Sequence, residues 1–254
     1  MDKLVISIIT ITYNCEASII KTIDSVLKQD YPYIEYIIID GDSNDGTKTI
    51  IEENKIRIRK GVWNFLYLSE RDDGISDAFN KGISKSTGEL ILLLNAGDTF
   101  VSYDIISNVV LDWKNSNRPD FLYYRVRLGE NTFIPALGKG HIAWEICQPP
   151  HQGSFISKKL YSSLGGYDTE YKLRMDYDFF VRCKEKEASH MFIPKVIVDY
   201  EAGGVSMQTS NAKSFYLEGI DIKRKYNIKV KFMDYVYAYI PNWLRNIAKQ
   251  LIKR

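Results

Sequence analysis

The chain has 254 residues, 45% apolar and 26% charged, with a net charge of +2. That is ordinary for a folded protein and allows one large α/β domain, or a domain with an appendage. Cys15, Cys147 and Cys183 are odd in number and widely spaced with no CxxC, which supports neither a disulfide framework nor a zinc site and fits a reducing compartment. No apolar run reaches the roughly 18–20 residues that a spanning helix needs. The N-terminal MDKLVISIITITYN is short and β-branched, so Leu4–Ile11 reads as a buried first strand and not a signal peptide.

Further along, Ala17, Ile20, Ile23 and Leu27 recur at helical spacing, and Pro32 leads into a second strand, YIEYIIID. GDSNDGTKTIIEEN is a turn that opens a helix, with Asp45 or Thr47 as its cap. WNFLYLSE is a third strand. Ile75, Ala78, Phe79 and Ile83 mark one face of a third helix, and Glu89–Leu94 is a fourth strand. This alternation predicts a mostly parallel sheet with helices on both faces. Beyond residue 100 the order loosens. A helix over Asp104–Trp113 and a strand in FLYYRVRL precede residues 129–150, which read as a long loop or lid. FISKKLYSSLGGYD reads as strand, short helix and glycine turn, DYDFFVRCKEK as a helix, and FIPKVIVDYE as a late strand.

In such sheets ligands bind beyond the carboxyl ends of the strands. The polar clusters there are Tyr13-Asn14, Asp40-Gly41-Asp42, Glu70 to Asp73, and Asn95 to Asp98. Carboxylates gathered on one rim suit a divalent cation and the diphosphate it bridges. The absence of GxGxxG after the first strand and of GxxxxGK[ST] anywhere argues against a dinucleotide site and a P-loop. For LILLLNAGDTF alone, two readings of Asp98 stay open: a metal ligand, or the polar turn a buried strand needs.

The string SIITITYNCEASIIKTIDSVLKQDYPYIEYIIIDGDSNDGT resembles the opening of family 2 glycosyltransferases. SERDDGISDAFNKGISKSTGELILLLNAGD and HQGSFISKKLYSSLGGYDTEYKLRMDYDFFVR extend the likeness over roughly residues 4–207, most closely to a bacterial surface-polysaccharide branch. The resemblance implies the GT-A fold: a mostly parallel nucleotide-binding sheet with flanking helices, plus acceptor-side elements. A GT-A domain over residues 1–218 and a basic amphipathic helical extension over 219–254 are expected.

By that resemblance Tyr13 stacks on the nucleobase of a nucleotide-sugar, with Thr12 and Asn14 beside it. Many relatives carry a second acid after Asp40, where this chain has Gly41. Asp40 is left to meet base or ribose, with Asp42 as a partial substitute. Asp72 and Asp77 fall on motif positions, and Lys81 is a candidate partner for phosphate or ribose. Asn95, Ala96, Gly97 and Asp98 stand where the family has its metal-binding Asp-X-Asp motif, with Asp98 the surviving acid. It implies Mn²⁺ or Mg²⁺ as cofactor. Asp176 aligns with the family's catalytic base, the Glu before it being replaced by Met175. Asp178 is expected to point elsewhere and be structural. His151, Gln152 and Ser206 are placed on the acceptor or phosphate side.

From Asp221 to the C-terminus nine Lys and Arg face two acids, so a basic tail follows a mildly acidic body. Phe232, Tyr235, Val236, Tyr239, Ile240, Trp243, Leu244, Ile247, Leu251 and Ile252 alternate with those cations. That composition suits a helix lying in a membrane interface, or one packed on its own domain or on a second copy in a homodimer. The chain is therefore expected to be an inverting glycosyltransferase using a nucleotide-sugar donor, probed first as UDP-linked. The expected acceptor is a glycan or lipid-linked glycan, and no nucleic acid partner is expected. The expected setting is cytoplasmic, peripheral to the inner face of a bacterial membrane. A metal-independent transferase and a catalytically silent nucleotide-sugar-binding partner are the alternatives.

Overall fold

Isoleucine-rich runs suit strands buried on both faces, and the first two strands are buried along almost their whole length. In the computed structural model, which describes residues 3–130, 132–134, 149–201, 204, 208–241 and 244, β1 (Ile6–Thr12) and β2 (Ile34–Asp40) pair in parallel within one sheet. β3 (Asn64–Ser69) pairs in parallel with β2, and β4 (Leu90–Leu93) in parallel with β1. The helices between them are α1 (Ile19–Leu27), α2 (Thr47–Gly61) and α3 (Ile75–Lys85).

The two-residue period of a strand sorts these side chains into two cores. Ile6, Ile8, Tyr36, Ile38, Leu90 and Leu92 face α1 and α2, and also α4 (Ile105–Asn115). Ile9, Ile37, Ile39, Ile91 and Leu93 face α3, together with α5 (Lys158–Leu164) and α6 (Met175–Glu185).

The second half completes the sheet in mixed sense. Its order is β3-β2-β1-β4-β8-β6-β9-β5, with β7 on β6. Here β5 is Thr99–Phe100, β6 Phe121–Leu128, β7 Thr132–Ile134, β8 Ser154–Ser157 and β9 His190–Tyr200. β8 runs antiparallel to β4, while β9 lies parallel to β6 with a bulge at Arg125. The expected long loop begins instead with β7; residues 135–148, including Cys147, lie outside the described residues. Cys15 and Cys183 are free thiols.

The expected division after residue 218 falls inside α7 (Ala212–Lys225). Glu218 accepts the backbone N–H groups of Leu173 and Arg174 at 2.9 and 2.8 Å. Ile222 is wholly buried in the second core, and the Tyr171 hydroxyl donates to Asp221 at 2.8 Å. This much of the expected extension is packed on the domain. α8 (Phe232–Tyr239) lies against α7 and leaves Phe232, Met233, Tyr237 and Tyr239 exposed. Trp243, Ile247, Leu251 and Ile252 lie outside the described residues. Among the described residues no helix is long and apolar enough to cross a membrane.

Asp178 is structural, as its helical offset from Asp176 implies. It is fully buried and bonds Arg182 Nε at 2.8 Å and the Tyr226 hydroxyl at 3.0 Å. Arg182 in turn donates to the carbonyls of Leu164 and Gly166, both at 2.7 Å. Asp178 thus ties α6 to the turn after α5 and to the end of α7. Removing one partner of a buried pair leaves the other charge uncompensated. Asp178→Ala should cost on the order of 3–5 kcal/mol, read as a lowered midpoint in urea unfolding. Asp73→Ala on the exposed rim is the control and should barely move it.

Candidate functional site

The strand order turns back between β1 and β4, and a crevice opens at their carboxyl ends, where such sheets take ligands. The cavity there is about 400 Å³. From β1 come Thr12 and Tyr13, from the end of β4 Asn95 and Ala96, and from the α3 approach Asp72. The far wall is His151, Gln152 and Asp176, with Lys172 and Tyr200. The cavity therefore gathers eight of the expected site residues from five separated segments.

Tyr13 is 60% exposed at the mouth, an aromatic face open to a planar ligand. Gly41 explains itself through its neighbours. A Cβ there would meet Asp72 Oδ2 at 2.4 Å and the Tyr13 ring at 3.5 Å. The acid missing after Asp40 has made room for Asp72, whose other oxygen accepts from Gly74 N at 2.9 Å.

His151 opens a short 3₁₀ turn, His151–Gly153, before β8. Its Nδ1 lies 2.8 Å from Asp176 Oδ2 and its Nε2 lies 3.1 Å from Asn95 Nδ2. Burial would lower the imidazole's pKa, but the Asp176 carboxylate beside it outweighs that and leaves it raised. Asp176 is thereby fixed by one oxygen, while Oδ1 is buried with no hydrogen-bond partner among the described residues. Thr12 Oγ1 and Asn95 Oδ1 are likewise buried and unpartnered. Buried polar atoms are normally satisfied, so three such atoms around one cavity mark a place for a polar ligand.

Asp98 lies behind this wall and is 1% exposed. Its Oδ1 accepts from Glu201 N at 2.9 Å, and Oδ2 has no partner among the described residues. Burial pushes its carboxyl up to about 6. Gly97 has φ +106°, and a Cβ on it would meet Glu201 Oε2 at 1.7 Å, so this position takes glycine for both conformation and space. Thr22 of α1 clamps the turn from below, accepting from Gly97 N and donating to the Asp98 carbonyl, both at 2.8 Å. Among the described residues no group of three His, Cys, Asp or Glu side chains could hold a metal ion. Asp98 Oδ2 and Asn95 Oδ1 are both buried oxygens without a hydrogen-bond partner among the described residues, the kind of ligand a hard cation takes.

Several expected donor contacts are placed elsewhere. Asp40 is buried and off the cavity, its oxygens taken by Ser43 N at 3.0 Å, Ser69 Oγ at 2.6 Å and Ser43 Oγ at 2.5 Å. It closes the turn after β2. Asn14 has φ +52° and accepts from Asn44 N at 3.0 Å, again turn chemistry. Lys81 pairs with Glu70 at 3.0 Å and Asp77 at 3.3 Å and donates to the Arg71 carbonyl at 2.8 Å. Lys81 and Asp77 therefore brace the loop that carries Asp72 and do not reach the cavity. The nearby cation that does is Lys172, bonded to the Asp73 carbonyl at 2.7 Å. Ser206 lies outside the described residues. Neither expected helix cap holds that position: Gly46 is the N-cap of α2 with no side-chain cap bond, Thr47 is the first helical residue, and Asp45 accepts from Thr47 N at 3.0 Å.

A mixed sheet whose parallel half ends in an aromatic face, a buried acid and a fixed opposing carboxylate has the GT-A fold. The model for glycosyl transferase family 2 matches residues 7–163, and the chain belongs to that family: it is a glycosyltransferase. It is 26% identical to a PGL/p-HBAD biosynthesis glycosyltransferase of Mycobacterium bovis, covering 98% of this chain and 94% of that protein. It is 30% identical over 135 residues to the Escherichia coli UDP-Glc:alpha-D-GlcNAc-diphosphoundecaprenol beta-1,3-glucosyltransferase WfgD, covering 53% of this chain and 50% of that protein. Among solved structures, S. aureus TarS 1-349 in complex with UDP superposes with TM-score 0.70 at 17% identity, covering 90% of this chain and 67% of that one. The mannosyltransferase PcManGT of Pyrobaculum calidifontis, in complex with GDP-Man and Mn²⁺, gives 0.70 at 18%, covering 94% and 71%.

The raised carboxyl of Asp98 has a measurable consequence. An unfolded aspartate titrates near about 3.9, below its value of about 6 in the fold. The native state thus binds the extra proton, and stability is lost as pH rises between those values. In chelator at pH 7.5, Asp98→Asn should be more stable than wild type by on the order of 1–3 kcal/mol. The gain should vanish near pH 4. Matched urea midpoints at pH 7.5 would reject it.

Proposed function

We propose that this glycosyltransferase transfers a sugar with inversion from a nucleotide-sugar, UDP-linked by preference, to a saccharide acceptor, with Asp176 as general base. The observation that carries the reading is the state of that carboxylate. One oxygen is held by His151, the other is buried without a hydrogen-bond partner among the described residues, and Asp176 lines the cavity across from the β1–β4 rim. A base must reach the acceptor hydroxyl from the side opposite the leaving diphosphate, and only a fixed carboxylate keeps that line.

Each remaining wall has a role in this scheme. Tyr13 stacks on the base, and Asp72, seated over Gly41, takes the place of the acid that relatives use there. Thr12 Oγ1 offers a hydrogen bond to the donor, and Lys172 offers charge to its phosphates. Asp98 Oδ2 and Asn95 Oδ1 would hold Mg²⁺ or Mn²⁺, which when bound supplies charge neutralisation to the departing nucleoside diphosphate. Asp176 Oδ1 accepts the acceptor's proton, and the donated Nδ1 bond from His151 keeps its carboxylate in place.

The name of the E. coli relative specifies a UDP-glucose donor and a diphosphoundecaprenol-linked acceptor. By that likeness we infer a lipid-linked glycan acceptor, in bacterial capsule, O-antigen or exopolysaccharide assembly at the inner face of the membrane. The exposed Phe232 and Tyr239 on α8, in a basic tail, support peripheral contact with that face.

Donor screening with candidate acceptors tests the reading. Asp176→Asn should lower kcat at least about 100-fold, within the range of a lost general base, with donor KM within a few-fold. Tyr13→Ala should raise donor KM and spare kcat. Chelator should suppress turnover, with recovery on Mn²⁺ or Mg²⁺; turnover indifferent to chelator would favour the metal-independent alternative. Tight donor binding without turnover across acceptors would favour the silent-partner alternative. Loss of washed-membrane retention on deleting residues 229–254 is the expected result for the tail, and a wild type that never sediments with membranes would refute it.

A further inference from the structure

A second cavity of about 290 Å³ lies between the start of α6 and the helices α7 and α8. It takes Arg174, Lys223 and Lys231 against one acid, Asp234, and its apolar walls include Phe215 and Tyr237. Lys223 is engaged with Asp234 at 2.8 Å. Arg174 differs. Its guanidinium is held between the rings of Tyr177 and Phe215, each 4.5 Å away, and its Nε is buried with no hydrogen-bond partner among the described residues.

Rings fix the plane of a guanidinium but satisfy none of its in-plane donors. Such a fork is pre-aimed at a tetrahedral or planar oxyanion. The cavity lining itself carries two more positive charges than carboxylates, which suits an anion, while Asp176 and Glu218 also act on Arg174. The cavity also adjoins the donor site along the chain. Leu173, Met175 and Asp176 line the first cavity while Arg174, between them, lines the second. Consecutive Cα atoms are about 3.8 Å apart, so the two cavities share the backbone at the start of α6.

We propose that Arg174, with Lys231, forms a binding site for a phosphoryl group carried by the acceptor, which fixes the acceptor while its hydroxyl meets Asp176. The acceptor assignment rests on the reading of Asp176 as base; the phosphoryl site does not. The phosphoryl group could belong to a lipid diphosphate or to a soluble sugar phosphate, since the chemistry at Arg174 is the same.

Phenyl phosphate is the probe, titrated into the full chain while arginine Nε–H signals are followed by NMR. Loss of one signal in Arg174→Lys assigns it. Phenyl phosphate should move that signal, benzoate should need severalfold higher concentration, and benzyl alcohol should do nothing. Saturating UDP with Mg²⁺ should not compete, and Lys231→Gln should weaken binding about threefold to tenfold while leaving the fold unchanged by circular dichroism. A silent Arg174 signal, or competition by UDP, overturns the site.

A second arm compares transfer to a glycosyl phosphate, a glycosyl diphosphate lipid analogue and a neutral alkyl glycoside. Wild type should prefer the charged acceptors at least tenfold in kcat/KM, and Arg174→Gln should lose that preference with donor KM unchanged. Equal losses on charged and neutral acceptors would overturn the acceptor assignment. Preference for the diphosphate lipid over the soluble phosphate identifies the lipid as the source, and parity identifies the free phosphate. Absence of any transfer by wild type would count against the transferase reading, and the NMR arm would still decide the phosphoryl site.

Discussion

Between β1 and β4 the ladder runs from Ile6 opposite Leu90 to Ile9 opposite Leu93. Two further backbone bonds, Leu94 N to Ile9 O at 2.9 Å and Ala96 N to Ile11 O at 3.4 Å, carry the pairing past the end of β4. Those two bonds place Asn95 and Ala96 beside Thr12 and Tyr13. A slip of one residue would turn every side chain of β4 to the opposite face and exchange its two cores. β4 is apolar on both faces, so its own polarity forbids no single slip. The fit of Ile9, Ile91 and Leu93 against Phe79 on one side, and of Ile8 and Leu92 against α1 on the other, fixes the register.

The opposing wall depends on this frame through a different kind of interaction. His151 reaches Asn95 with one nitrogen and Asp176 with the other, so a single imidazole spans from the rim of the parallel half to the first turn of α6. Phe79 packs edge-on to the same ring at 5.6 Å between centroids, which ties its orientation to the core. With Asn in place of the family's usual acid at position 95, the imidazole faces one carboxylate in direct contact instead of two. The departure from the motif and the presence of the histidine are then parts of one arrangement.

Much of the parallel half was legible in the sequence because its signals are local. Alternating β-branched runs, helical spacing around Phe79 and the punctuation at Pro32 each act within a few residues, and strands β1 to β4 and helices α1 to α3 follow them. The motif likeness likewise brought Thr12, Tyr13, Asp72, Asn95, Asp98, His151 and Asp176 toward one site. What local pattern could not show was which polar atoms satisfy one another. Asp40, Asn14 and Lys81 looked available, yet Ser43, Glu70 and Asp77 engage them from nearby, and Ser69 and Asn44 from positions 29 and 30 residues away. Thr22, Lys172 and Glu201 drew no attention because their significance lies in contacts made far along the chain. The two-residue strand β5 is too short for any periodicity to register.

The bond from Glu201 N to Asp98 joins residues 103 positions apart, and β5 meets β9 across a similar span. Contacts so distant in sequence form late, after the loop entropy between them has been overcome. During synthesis the parallel half can assemble with its helices while the acid that closes its rim still lacks its backbone partner. The rim at the end of β4 is therefore completed by the segment that follows β9, so it matures only once the far end of the domain has docked.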